Sequence, residues 1–492
     1  MTWNFGSDQA AYNPLTTKPS SSSTVVGPNG KAPYEAALDL LREAATGQSG
    51  QFTPAELEAQ APATLQWCKA KGFDIVRLLN DQSLTTHARP AFEQTDEQIV
   101  EALLNDLFGM GPIEALMRMP DVEDIAINGP DDVWYKARGG WVKSDIRYRS
   151  AEVLQLTLNR AIVHTNRQVG PLTPIVDATL RAGHRINIVT EPLAHPWPVA
   201  SIRIHRDKSL TMEDLVVSGG EDHSQPEPHL IPNYFACDNG QGMFSALAAT
   251  FLHMAVVAGF NILVVGATGV GKTTVLGALG RMIPSDRRIL VIEDTRELKI
   301  RGDGKSNANN NVYFVTRPAT IEGLPAITQK DLVLAALRQR PDALTVGEAR
   351  GAEVFDMLKA LWTGHRNGLT SIHAESLDDV SNRIRMMLQE AHFETEVTEA
   401  TVALWIAKAF QLGIMLRRTE TGRRYVEEIT EFTGGVEGSV PVRVPVFLYD
   451  KATRRLRCTG HGLHESHEDM LRQAGYTYDA IVEAARERRE LQ

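Results

Sequence analysis

Residues 266–274 read GATGVGKTT, and the apolar run NILVV stands immediately before them. Gly266, Ala267, Thr268, Gly269, Val270, Gly271, Lys272 and Thr273 satisfy G-x-x-x-x-G-K-[ST], with Thr274 next in line. The following TTVLGALGRM reads as a helix closed by Pro284. Strand, glycine turn and helix in that order make a phosphate cradle. Backbone N–H groups point inward, glycines let the chain approach, and the helix N-terminus adds partial positive charge. In that setting Lys272 would bridge the β- and γ-phosphates of ATP, and the Thr273 hydroxyl would ligate Mg²⁺.

Three further stretches end short apolar strands in reactive side chains. RILVIED (288–294) carries Glu293 and is followed by Thr295 and Glu297. DALTVGE (342–348) ends in Glu348 and leads into Ala349, Arg350 and Gly351. LTSIHA (369–374) carries His373. In an open parallel sheet, ligands bind beyond the carboxyl ends of the strands, so four strand ends would gather at one edge. Glu348 is placed to hold Mg²⁺ through water, and Glu293 to orient or deprotonate an attacking water. The sequence leaves open which glutamate does which. His373 would contact the γ-phosphate.

A chain of 492 residues predicts more than one domain. Residues 1–32, with SSSS at 20–23, read as a disordered tail. Residues 33–110 carry apolar residues at helical steps, as in YEAALDLLREAA and DEQIVEALLNDLFG. Residues 111–206 mix short strands with a helix over 152–164, an α+β pattern. Residues 207–242, with SGGEDHSQPEPH, read as a linker. Residues 243–435 alternate helices with apolar strands, which predicts an α/β domain with a parallel sheet covered on both faces. Residues 436–492 read as a hairpin and a closing polar helix.

Residues 243–265 carry no Lys, Arg, Asp or Glu and are long enough to cross a bilayer. His253, Asn261 and the helix stop at Gly259 argue instead for a buried helix ending near Ala258 and a strand over 261–265. No transmembrane span is expected. Lys+Arg 51 against Asp+Glu 61 gives a net charge of −10, which does not suggest a nucleic-acid binder. Cys68, Cys237 and Cys458 are scattered and form no CxxC, which fits three inert thiols in a reducing compartment. His461, His464 and His467 lie three residues apart without a carboxylate or cysteine pattern beside them, so a metal site is disfavoured.

With these motifs placed, the chain resembles the ATPases of type II and type IV secretion and pilus systems, most of all the tight-adherence (Flp) pilus assembly ATPases. VIEDTREL (291–298) resembles the family's Asp box, 338–365 its Walker B region and GLTSIHAES (368–376) its His box. NVYFVTRPATIEG (311–323) matches a stretch of the tight-adherence branch, and 100–206 resembles the N-terminal module. The likeness covers about residues 100–435. The insertion at 218–229 departs from the family, and the zinc tetracysteine motif of many relatives is absent, which favours the tight-adherence branch.

The resemblance implies a RecA-like motor domain preceded by a smaller PAS-like α+β domain. It implies a homo-hexameric ring with nucleotide held between the domains, where Arg185, Arg203 and Arg317 would reach it. It also implies a cytoplasmic, Mg²⁺-dependent ATPase peripheral to the inner membrane, partnered by a membrane platform protein and with no direct nucleic acid. Pilin export or pilus assembly is the implied job. A related motor for conjugative DNA or protein transfer is one rival reading, and a non-hydrolysing nucleotide-binding scaffold is another.

Overall fold

The computed structural model describes residues 32–46, 62–87, 91–137, 140–165, 167–205, 210–217, 243–300, 310–317, 319, 324–391, 397–419, 422–488 and 490–491. The expected tail up to residue 31, most of the expected linker, the 218–229 insertion and Cys237 lie outside them. The chain divides into two units between His205 and Arg206.

The first unit opens with helices Pro33–Thr46, Pro62–His87 and Asp96–Phe108. Their apolar steps converge in a small core of Leu38, Leu41, Ile75, Val76, Leu79, Ile99 and Leu103. Thr95 starts the third helix with a reciprocal capping box to Gln98. Six strands follow: β1 (Asp124–Gly129), β2 (Asp132–Ala137), β3 (Gly140–Lys143), β4 (Ile175–Thr179), β5 (Arg185–Val189) and β6 (Val199–Arg203). They form a sheet in the order β3-β2-β1-β6-β5-β4. Its pairings are antiparallel. Alternation sorts the two faces. Ile125, Val133, Ile186, Ile188 and Ile202 turn inward against Leu154, Leu158 and Ile162 of helix Ala151–Ile162.

The second unit adds β7 (Val216–Val217), β8 (Phe244–Ser245), β9 (Ile262–Gly266), β10 (Ile289–Glu293), β11 (Asn311–Val315), β12 (Ala343–Val346), β13 (Leu369–Ile372), β14 (Leu412–Arg418), β15 (Arg424–Glu437), β16 (Val440–Asp450) and β17 (Arg455–Cys458). Nine of them form one sheet in the order β11-β10-β12-β13-β9-β14-β15-β16-β17. From β11 to β14 the pairings are parallel. From β14 to β17 they are antiparallel. The sheet is therefore mixed, which corrects the expectation of a parallel one. The connections after β14 are short turns, and a short turn can only reverse a strand. The expected boundary at residue 435 falls inside β15.

The parallel strands β9, β10, β12 and β13 are buried along their whole length. One face packs Ile262, Val264, Ile289 and Val291 against Phe251, Leu252, Leu276, Leu279 and Tyr478. The other packs Leu263, Val265, Leu290 and Ile292 against Met357, Leu358, Ile384 and Ile406. Helix Ala246–Val257 begins on Ser245, whose hydroxyl accepts from Ala248 N. No helix among the described residues is long and apolar enough to cross a membrane.

Asn261 is a buried polar hub. Its Nδ2 donates to the carbonyls of His365 (3.1 Å) and Ala409 (2.8 Å), and its Oδ1 accepts from Gly368 N at 2.7 Å. The closing helix expected from sequence is two helices, Glu465–Gln473 and Tyr478–Glu487.

Candidate functional site

The parallel register brings the four strand ends together. β9 runs straight into the glycine turn, and the helix Lys272–Met282 begins on Gly271 in the left-handed region at φ 101°. Gly266 has no room for a side chain, because a Cβ there would lie 2.7 Å from the Leu416 carbonyl oxygen. Glu293 ends β10. Beyond β12, Gly347 N donates to Ile292 O (2.9 Å) and Ala349 N to Ser371 O (2.9 Å), while Ser371 Oγ holds Gly347 O at 2.8 Å. Those bonds carry the sheet three residues past the end of β12 and fix Glu348 between β10 and β13.

Lys272 is buried. Its ammonium donates to the carbonyls of Gly266 (2.9 Å) and Ala267 (3.0 Å) and faces the His373 ring, with Nδ1 at 3.1 Å and Nε2 at 3.2 Å. His373 Nε2 lies 2.8 Å from Glu348 Oε1. An ammonium can only donate, so the tautomer that satisfies both neighbours accepts at Nδ1 and donates from Nε2 to Glu348. Glu348 Oε2 accepts from Arg350 Nη2 at 2.7 Å. Arg350 Nη1 reaches Asp294 Oδ2 at 3.4 Å, and Asp294 Oδ1 accepts from Thr316 Oγ1 at 3.1 Å. A line of polar contacts thus runs from the glycine turn across β13 and β12 to β10 and the residue after β11.

The two glutamates differ sharply. Burial pushes the Glu293 carboxyl up to about 7, and the amides of Leu298 (2.9 Å) and Glu297 (3.1 Å) on its Oε1 only partly oppose this. Burial acts on Glu348 in the same sense. There the hydrogen bonds from His373 and Arg350 and the charge of Arg350 outweigh it and hold the carboxyl down to about 2. Glu348, Ala349, Arg350, His373, Arg383 and Met387 line a cavity of about 300 Å³.

Glu293, Glu348, His373 and Lys272 therefore share one edge of the second unit. Thr273 and Thr274 lie in the first turn of the helix after the loop, half-buried, while Ala267 and Thr268 are exposed. Arg317 stands two residues past the end of β11, with its Nη2 on the Pro325 carbonyl at 3.1 Å. Arg185 and Arg203 belong to the first unit. They are direct cross-strand neighbours at the ends of β5 and β6, in one row with Asp124 of β1. Asp294 and Arg350, to which the sequence assigns no role, join the site. Both lie inside the strand-end motifs, which was the available signal. The three histidines part company: His467 is buried with Nδ1 2.5 Å from Glu431 Oε1, and His464 caps a helix with Nδ1 2.9 Å from Ser466 Oγ.

Fold and edge together define a phosphate-loop α/β domain, of the RecA-like kind, preceded by a smaller unit carrying an α+β domain. Residues 234–413 match the profile of the type II/IV secretion system protein family. The chain is 31% identical over 333 residues to the type IV secretion system protein PtlH of Bordetella pertussis, covering 65% of this chain and 94% of that one. It is 30% identical over 336 residues to a putative conjugal transfer protein of Mycobacterium tuberculosis (67% and 86% covered). It is 27% identical over 306 residues to VirB11 of Brucella suis (61% and 82%). Among solved structures, the VirB11 ATPase of Brucella suis aligns at TM-score 0.33 and 21% identity (65% and 95% covered). The ATPase DotB of Legionella pneumophila aligns at TM-score 0.42 and 18% identity (75% and 85%). The chain belongs to the type II/IV secretion system protein family.

Proposed function

We propose that the carboxyl edge of β9, β10, β12 and β13 binds ATP with Mg²⁺ and hydrolyses it to ADP and phosphate, and that this drives a secretion motor. The observation that carries the reading is the connected line Lys272–His373–Glu348–Arg350–Asp294, which ties the phosphate loop to three neighbouring strand ends.

The donors fit the ligands. The amides of Gly269, Val270, Gly271, Lys272, Thr273 and Thr274, with the Lys272 ammonium, suit the phosphates, beside Gly266, Ala267 and Thr268. A hydroxyl at Thr273 and an ionised carboxylate at Glu348 are hard oxygen donors suited to Mg²⁺. Among the described residues no group of three His, Cys, Asp or Glu side chains forms a cage of its own. A cation completed by substrate phosphates and water needs none. When bound, Mg²⁺ neutralises developing charge on the phosphates.

The carboxyl environments divide the labour. Glu348, held near 2, stays ionised at any working pH and suits the cation. Glu293, poised near 7, suits the base that takes a proton from the attacking water. His373 would pass the presence of the γ-phosphate from Lys272 to Glu348. Arg185, Arg203 and Arg317 are the candidates for meeting transition-state charge.

The relatives bear type IV secretion and conjugal-transfer names. That favours the conjugative or protein-transfer reading of the cargo over the tight-adherence pilus reading, which rests on the 311–323 stretch and the missing tetracysteine motif. A homo-hexamer at the cytoplasmic face of the inner membrane, docked on a platform protein, completes the proposal.

Phosphate release by purified protein, compared with Lys272→Ala and Glu348→Gln, tests it. The expected result is turnover in the wild type that both variants lose. Wild-type turnover that survives Lys272→Ala would falsify the assignment of the site. Wild-type protein that binds ATP without any turnover would favour the scaffold reading.

A further inference from the structure

Arg424 lies outside every motif that marks the site, yet it touches the phosphate loop. Its Nε donates to the Gly269 carbonyl at 3.0 Å, across 155 residues of sequence. The sheet register brings it there. β14 lies beside β9 with Leu416 opposite Gly266, and β15 lies beside β14 with Arg424 opposite Arg418. The start of β15 is thereby carried up to the glycine turn. A Cβ on Gly271 would lie 3.6 Å from Arg424 Cδ, so the side chain runs along the loop. Val426 N, two residues on, donates to Met243 O at 3.4 Å, which ties the same strand to the segment leading into helix Ala246–Val257.

The consequence follows from peptide geometry. In a trans peptide the C=O and the N–H of one unit point in opposite directions. A guanidinium holding Gly269 O on one side therefore turns the Val270 N–H to the other. Gly269 has φ +77° and Gly271 φ +101°, so the turn is built from residues that rotate easily, and its peptide planes need fixing from outside. The buried Val270 side chain anchors the same peptide from below.

We infer that Arg424 is a positioning residue of the nucleotide site, which holds the Gly269–Val270 peptide so that the Val270 amide faces the phosphates, with Arg418 beside it. This rests on the ATP reading above. The antiparallel half of the sheet then contributes to nucleotide affinity through its contact with the loop.

The test is titration calorimetry of the full chain with Mg²⁺ and ATP, alongside thermal unfolding with and without nucleotide, for wild type, Arg424→Gln, Arg424→Lys and Lys272→Ala. Losing one charge-assisted hydrogen bond predicts about tenfold weaker ATP binding in Arg424→Gln, and phosphate release measured beside it should show a raised KM with kcat nearly kept. Arg424→Lys, which keeps a cationic donor, should recover most of the affinity. The midpoint without nucleotide should stay put in both variants. Wild-type affinity in Arg424→Gln, with binding lost in Lys272→Ala, overturns this inference alone. Equal weakening in Gln and Lys variants with a lowered nucleotide-free midpoint also overturns it, in favour of a purely structural role. Undiminished ATP binding by Lys272→Ala overturns the ATP reading and this inference together.

Discussion

The large sheet has two halves, a parallel one with fully buried central strands and an antiparallel one whose strands β15, β16 and β17 are only partly buried, and they handle charge in opposite ways. In the parallel half, β9, β10, β12 and β13 all point one way, so whatever follows each strand collects at one edge. Lys272, Glu293, Glu348 and His373 meet there through separate loops. In the antiparallel half, strand ends alternate between edges and charged groups pair across strands instead. Arg417 Nε meets Glu427 at 2.7 Å and Arg443 Nη1 meets Glu428 at 2.7 Å. Buried Glu431 is satisfied by His467 and by the His464 amide at 2.8 Å. Parallel topology concentrates reactive groups, whereas hairpin topology neutralises them locally.

If that contrast is sound, substitutions in the two halves should separate function from stability. Lys272→Ala should cost the most: a loss of about 10²–10³ in phosphate release, with little change in unfolding without nucleotide. His467→Ala should do the reverse. It strips the partner from a buried carboxyl and should lower stability by about 3 kcal/mol in denaturant unfolding, while calorimetry finds ATP affinity unchanged. A parallel loss of affinity would show that the halves are not separable.

Asn261→Ala lies at the seam, at the opposite end of β9 from the loop. It orphans two carbonyls and one amide and should cost about 2–3 kcal/mol with no change in KM. Arg350→Ala should lower kcat about tenfold through its hold on Glu348. Its pH signature has a definite sign. The Glu348 carboxyl is depressed from 4.5 to about 2 in the folded chain, so its contribution to stability is present above 4.5 and lost as pH falls through about 2. Removing Arg350 should move that loss to higher pH, which acid titration followed by circular dichroism would read. Smallest of all, Asp469→Asn breaks an exposed ion pair with Arg472 and should shift stability by less than about 0.5 kcal/mol.

The parallel half of this contrast was legible in the sequence because each group sits within a few residues of an unbroken apolar strand. Glu293, Glu348 and His373 could be placed at strand ends without knowing the strand order. The difference between the surroundings of the two glutamates was not legible. It depends on amides at Glu297 and Leu298 for one carboxyl, and on a histidine and an arginine for the other. Arg350 is near enough to suspect, but its reach to Asp294 crosses between strands. Arg424 had no local signal, since its contact with Gly269 exists only because β14 and β15 extend the parallel sheet. Hairpin turns show in sequence, but the neighbour a hairpin joins does not: nothing local says that β14 lies beside β9. His467 shows the limit from the other side. Its three-residue spacing drew attention to histidines, while the carboxyl that faces it comes from a strand 36 residues away.

The central proposal is that the two glutamates differ, with Glu293 as the proton acceptor and Glu348 ionised from mildly acidic to basic pH. The most direct measurement is the pH dependence of kcat for wild type and Glu293→Gln, read as phosphate release. Because Glu293 accepts a proton only when ionised, wild-type turnover should fall about tenfold per pH unit below about 7 and level off above it. Glu293→Gln should be slow and flat across the same range. A wild-type profile that stays level through 7, or a Glu293→Gln variant as fast as wild type, would contradict the account.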